Sequence, residues 1–139
     1  MLVAAVLVVA LPACSKPGSV PRSAAEAFLD AHYVRIDLTA AETLASGLAR
    51  DKVEKEIALT KGQEINRETL QPRVTYKLQR ADETKTVGQY AYELTIRAPG
   101  ADPFHKLVTV TVRSLDGAWS VTNYSEGDAA GDAPPSHPD

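Results

Sequence analysis

The sequence predicts an α+β domain: two to three N-terminal helices packed on a curved four-stranded antiparallel meander. Between Ala25 and Ile57 apolar residues recur at three- and four-residue intervals, the period of a helix with one buried face. After Pro72 the period changes to two, the alternation of a strand buried on one side. The segments of period two are joined by short, turn-rich links. Such links make neighbouring strands antiparallel and leave no room for crossover helices.

Ser23-Ala24-Ala25-Glu26 has the form of a capping box, so a helix is expected to start there. Ala25, Phe28, Leu29 and Tyr33 would form its buried face, and it should end near Arg35. Thr39-Ala40-Ala41-Glu42 is a second capping box, preceded by Asp37. Ala41, Leu44, Ala45 and Leu48 make the next apolar stripe. Val53 and Ile57 continue it out of phase, which predicts a bend or break near Arg50 to Lys52. The i,i+4 pairs Asp51/Lys55 and Lys52/Glu56 mark a solvated face. Lys61-Gly62 should close the helix, with a polar loop over residues 63–71.

In the second half Val74, Tyr76 and Leu78 alternate with polar neighbours, as do Tyr90, Tyr92, Leu94 and Ile96. Val108, Val110 and Val112 mark the third strand, and Trp119, Val121 and Asn123 the last. The links are residues 81–85, residues 98–103 with Pro99-Gly100, and Asp116-Gly117. Asp-Gly between two strands is a strong hairpin signal.

Residues 2–11 are a run of Leu, Val and Ala too short to cross a bilayer, which takes about 20 residues. The run leads into Leu11-Pro12-Ala13-Cys14, which holds the only cysteine in the chain. This stretch resembles the lipobox of bacterial lipoproteins: Leu, a small residue, Ala or Gly, then Cys. Pro12 departs from the usual second position, and no Lys or Arg precedes Lys16. A start upstream of Met1 would account for the missing positive charge. The resemblance implies a signal peptide over 1–13, a diacylglycerol thioether on Cys14, and acylation of the new amino terminus. Several acyl chains anchor stably, at about 0.8 kcal/mol per buried methylene. Ser15, where inner-membrane lipoproteins typically carry Asp, favours the outer membrane. Residues 14–21 would then be the lipidated cysteine and a Pro/Gly/Ser tether, and the mature chain would hold no thiol for a cross-link.

Roughly 125 residues would remain, enough for one domain at residues 22–126. The formal net charge is −3, and residues 126–139 carry four acids and no base, leaving the folded part near +1. No basic stripe favours nucleic acid. Residues 127–139 lack periodicity and are rich in Pro, Gly and acid, so a disordered tail is expected.

Three segments carry a second resemblance: residues 25–37 (AEAFLDAHYVRID), 41–53 (AETLASGLARDKV) and 116–126 (DGAWSVTNYSE). With the helix-then-meander order, they resemble the nuclear-transport-factor-2-like (NTF2-like) superfamily, which includes ketosteroid isomerase and the SnoaL-like cyclases. A cystatin-like fold, one helix over a sheet, is the structural competitor, and the second long helix argues against it. The resemblance implies a cone-shaped apolar pocket between helices and sheet. In the isomerases that pocket holds a general-base Asp and an oxyanion hole of Tyr plus protonated Asp. Tyr33 stands at about the position of the isomerase Tyr. No Asp falls on the inward faces of the second and third strands, so the catalytic set is not carried over. Asp37 matches the family's helix-leading Asp, a structural cap.

Tyr33, Tyr76, Tyr92 and Trp119, with Tyr90, are the candidates to line such a pocket, since each joins a large apolar body to one polar handle. The alternative is that they are core residues whose polar ends reach the rim. His32 lies off the stripe of Phe28 and Leu29 and reads as a surface or rim histidine. His105 and His137 complete no metal-ligand spacing, so neither metal nor cofactor is expected. The leading functional reading is a lipid-anchored envelope protein, a non-enzymatic binding or accessory module. It would take a small apolar ligand or a protein partner on the concave sheet face. The alternatives are an isomerase- or cyclase-like enzyme using Tyr33 with His32 or Asp37, and a structural subunit that homodimerises through its exposed sheet.

Overall fold

The computed structural model describes residues 20–62 and 72–129. The expected signal peptide, Cys14 with the tether as far as Ser19, the loop at 63–71 and the tail beyond Ala129 lie outside the described residues.

Helices α1 (Pro21–Leu29), α2 (Leu38–Thr43) and α3 (Gly47–Thr60) precede strands β1 (Arg73–Glu83), β2 (Val87–Arg97), β3 (Phe104–Leu115) and β4 (Ala118–Asp128). A π-helical turn, Asp30–Val34, extends α1. The sheet order is β1-β2-β3-β4 and every pairing is antiparallel, an open meander as the short links dictate. Asp116 and Gly117 join β3 to β4 with φ of 51° and 80°, the two left-handed residues of a type I′ turn.

One face of the sheet is the core. Tyr90, Tyr92, Leu94, Val108, Val110, Val112 and Val121 are fully buried on it, packed against Phe28 and Leu29 of α1 and Val53 of α3. Ala24, Ala25 and Ala49 let the helices sit close to that face. Each large apolar side chain buried here contributes roughly 1.5–3 kcal/mol. The other face is not covered by the helices: Thr75 on it is exposed, and Ala91, Thr95, Thr109 and Thr111 are half-buried.

Local signals were overridden at several points. Ser23 caps nothing. α1 begins two residues earlier with Pro21 in its first turn, where the ring's fixed φ suits a helix and its missing N–H is no loss. Glu26 turns instead to Arg22 at 2.7 Å. Thr39 also gives way: Asp37 caps α2, its Oδ1 accepting from the Ala40 N–H at 2.9 Å. The helical break falls at Leu44 to Ser46, not at Arg50 to Lys52. The Ser46 N–H donates to the Val121 carbonyl (2.8 Å) and the Val121 N–H donates to the Leu44 carbonyl (3.0 Å). β4 is a sheet edge whose backbone groups need partners, and this segment supplies them.

The strands also outrun the periodic residues. A bulge at Gln79 lets β1 continue to Glu83, so the first turn shrinks to residues 84–86. A second bulge at Thr122 shifts the phase of β4, bringing Tyr124 rather than Asn123 into the core. β4 then runs through Glu126 to Asp128, opposite Val108 to Lys106, residues at the expected start of the tail. Ile36, between the π-helical turn and α2, has φ of 54°, a costly conformation for a β-branched residue. It is fixed from both sides: the Arg35 N–H donates to the Asp30 carbonyl and the Asp37 N–H to the Ala31 carbonyl.

Candidate functional site

The π-helical turn organises the main polar cluster. Such turns insert a residue into a helix and recur at functional sites. Here the neighbours His32 and Tyr33 reach two different carboxylates. His32 Nε2 lies 2.8 Å from Glu56 Oε2 on α3, and Tyr124 on β4 donates its hydroxyl to Glu56 Oε1 at 2.6 Å. Tyr33 donates to Glu126 Oε1 at 2.7 Å, and Lys106 Nζ donates to the other oxygen at 2.9 Å. Lys52 Nζ donates to Asn123 Oδ1 and to the Tyr124 carbonyl, 5.2 Å from the centre of the Tyr124 ring. These bonds tie the π-helical turn, α3, β3 and β4 together along one side of the molecule.

His32 is 8% exposed, so it is a buried residue and not the surface or rim histidine the sequence suggested. Its ring packs against Phe28, Tyr33 and Tyr124, with centroids 5.4, 4.3 and 5.1 Å away. A carboxylate only accepts, so Nε2 carries the hydrogen facing Glu56. Nδ1 is buried with no hydrogen-bond partner among the described residues.

The electrostatics follow from this packing. Burial, and then the hydrogen bond to Glu126, push the Tyr33 phenol far above its ordinary value. Burial and Glu56 do the same to Tyr124. Burial would raise the Glu126 carboxyl, but hydrogen bonds from Lys106 and Tyr33 and the Lys106 charge outweigh it, and the net direction is down. A surface cleft of about 420 Å³ opens beside the cluster, lined by Lys52, Lys55, Glu56, Tyr124, Ser125 and Glu126. Among the described residues no group of three His, Cys, Asp or Glu could hold a metal ion.

No family model matches the sequence, and no curated protein matches it. Solved structures do match. A calcium/calmodulin-dependent protein kinase type II association domain from Thiobacillus denitrificans aligns with a TM-score of 0.62 at 10% identity, over 79% of this chain and 95% of that one. An NTF2-like protein of unknown function from Shewanella oneidensis gives 0.56 at 13%, over 77% and 95%. The fold is NTF2-like. The VirB8 protein of Agrobacterium tumefaciens also matches, at 0.53 and 15% identity over 81% and 92%. Identities this low establish the fold alone.

Within the NTF2-like fold the candidate pocket residues separate. Tyr76 and Tyr92 meet edge to face at 5.6 Å, with Tyr90 6.4 Å from Tyr92. Tyr33 stands against His32 on the π-helical turn and bonds to Glu126 instead, and Trp119 is half-buried beside the β3–β4 hairpin. Two larger clefts, about 480 and 520 Å³, lie beside α2 and have none of Tyr33, Tyr76, Tyr92 or Trp119 in their walls. All five tyrosines of the chain donate to a carboxylate: Tyr33 to Glu126, Tyr76 to Asp30, Tyr90 to Glu83, Tyr92 to Glu26 and Tyr124 to Glu56. Asp37 is occupied as the α2 cap. His105 is on the open sheet face, its Nδ1 3.1 Å from Thr95 Oγ1. Glu56 was missed by sequence reasoning. One signal was available for His32: it follows Phe28 by four residues and so shares its helical face.

Proposed function

We propose that this protein is a lipid-anchored component of the bacterial envelope. Its NTF2-like domain would be a non-enzymatic accessory module that binds a protein partner. The observation that carries the reading is the pairing of every phenol with a carboxylate. The polar handles that would orient a ligand between helices and sheet are spent on the domain's own structure, and the apolar face they border is filled by Phe28, Leu29 and Val53. That favours a protein partner over a small apolar ligand. The surface available to it is the open sheet face around Thr95, Thr109 and Thr111, not the helix-covered face. The anchor reading is supported by the lipobox-like stretch ending at Cys14. Among the described residues no helix is long and apolar enough to cross a membrane.

The test is photo-crosslinking in intact cells from a probe at Thr109, with intact-mass analysis of Cys14. An acylated Cys14 and a discrete protein adduct at Thr109 are expected. An adduct equal to twice the chain's own mass would identify the partner as a second copy. Absence of any protein adduct, together with a large rise in melting temperature on adding hydrophobes, would reverse the choice between partner and ligand.

One observation favours a catalytic reading: the buried His32, paired with Glu56 on one nitrogen and with no partner on the other among the described residues, beside the 420 Å³ cleft. In that reading His32 would be a general base oriented by Glu56. Covalent labelling by a histidine-directed reagent distinguishes the two. A catalytic His32 reacts in the folded protein, whereas a structural one reacts only on unfolding.

A further inference from the structure

On the reading of Cys14 as the lipid anchor, we infer that the hairpin end of the sheet is a bilayer-contacting surface, seated on the membrane by Val20, Leu48 and Leu115. Six residue steps separate Cys14 from Val20, so the tether spans at most about 20 Å. The start of α1 is therefore held close to the lipid headgroups.

The start of α1 lies at the end of the sheet that carries the β1–β2 and β3–β4 turns. The Arg22 guanidinium is near enough to act on the phenols of Tyr90 and Tyr92. The Tyr90 hydroxyl reaches back over Gly88 to Glu83, the residues that flank the first turn. Asp30, farther along the helix, meets Tyr76, which pairs with Leu94 well away from the turns.

Three large apolar side chains are exposed at this end. Val20 precedes α1 and is 47% exposed, and Leu115 beside the β3–β4 turn is 44% exposed. Leu48 is 53% exposed and shares a cleft with Val87 and Arg113, which pair with each other next to the turns. The charges there balance: Arg22, Arg80, Lys85 and Arg113 against Glu26, Asp82, Glu83 and Asp116. The contact is consequently apolar and does not need anionic lipid. Tethering raises the local concentration of the bilayer, so a weak contact is enough.

Trp119, the only tryptophan in the chain, pairs with Ser114 at the base of the same hairpin and reports on the contact. The native protein, purified from membranes with its Cys14 mass determined, is reconstituted in phosphatidylcholine vesicles carrying a headgroup-level nitroxide. Trp119 emission should be quenched equally at low and high salt, and Leu48→Asp with Leu115→Asp should abolish the quenching. Phe104→Asp, at the opposite end where Phe104 pairs with Ile96, should leave it intact. Circular dichroism confirms that the exposed-site variants fold. An acylated protein with unquenched Trp119, or equal loss from Phe104→Asp, overturns the inference while the anchor stands. A bare Cys14 thiol removes the anchor and the inference together.

Discussion

Tyr33, on the π-helical turn, donates its hydroxyl to Glu126 near the end of β4, 93 positions later in the chain. The bond joins the first helical unit to the last strand. Lys106 completes the carboxylate's coordination, and the folded protein holds Glu126 below the ordinary carboxyl range although burial opposes this. A group depressed in the folded state stabilises it above the unfolded pKa and ceases to do so as pH falls through the folded value. Tyr33→Phe should cost about 1 kcal/mol at neutral pH, a charge-assisted hydrogen bond discounted for partial exposure. The deficit relative to the parent should shrink as pH falls from the unfolded carboxyl value of about 4.3 through the lower folded value of Glu126. Urea unfolding of both proteins across that range measures it.

The tyrosines predict the opposite boundary. All five phenols are raised, Tyr76 to about 12 by burial and Asp30, and the others further. A raised phenol favours the folded state fully below the unfolded value of about 10, and that contribution is lost as pH rises above it. Alkaline unfolding should begin near pH 10, with the tyrosines ionising together as the chain opens. Phenolate absorbance and circular dichroism, followed in one titration, should move in step. Early ionisation of Tyr33 or Tyr124 in a folded chain would contradict this.

His32 separates ring packing from polarity. His32→Phe keeps the stack with Phe28 and Tyr124 and removes the orphaned Nδ1, while Glu56 retains Tyr124. It should change stability by about 1 kcal/mol or less. His32→Ala leaves a cavity among three aromatic rings and should cost about 3 kcal/mol. Chemical denaturation of the two variants gives the comparison.

Gly88 faces the ring of Tyr90. A Cβ there would lie 2.8 Å from the Tyr90 hydroxyl, 2.9 Å from Cε2 and 3.0 Å from Val112 Cγ2. The ring is fully buried and its hydroxyl is held by Glu83, so it cannot swing aside. Gly88→Ala should cost about 1–3 kcal/mol. Combined with Tyr90→Val it should cost less than the sum of the two single changes, a coupling that a double-mutant cycle reads directly.

The sheet was legible because its signal is local: Tyr90, Tyr92 and Leu94 alternate with polar neighbours, and Asp116-Gly117 can form one kind of turn. The bulges at Gln79 and Thr122 have no such signature, and each moves the strand's phase by one residue. Tyr124 is therefore a core residue that simple alternation misses. The helix starts were misplaced where the residue heading a capping-box pattern was not the one that begins the helix. Thr39 lost to Asp37, whose side chain already caps α2, while Ser23 was bypassed because α1 starts at Pro21, with Val20 at its N-cap making no side-chain bond. The break at Leu44 to Ser46 is decided by Val121, far away in sequence. The polar cluster was half visible. His32 shares a face with Phe28 by spacing alone, but Glu56 and Glu126 gain their meaning only from elements folded against them.

The seam at Val121 limits how these sheets can add to one another. Ser46 and Leu44 occupy the backbone of β4 at that point, and Lys52 takes the Tyr124 carbonyl farther along. Among the described residues no such backbone bond from another segment occupies the outer edge of β1, which leaves that edge the more open to a foreign strand. Two molecules meeting there through a two-fold axis would close on themselves, each presenting its sealed margin outward. Growth would stop at a pair, where unchecked strand addition would lead to fibres.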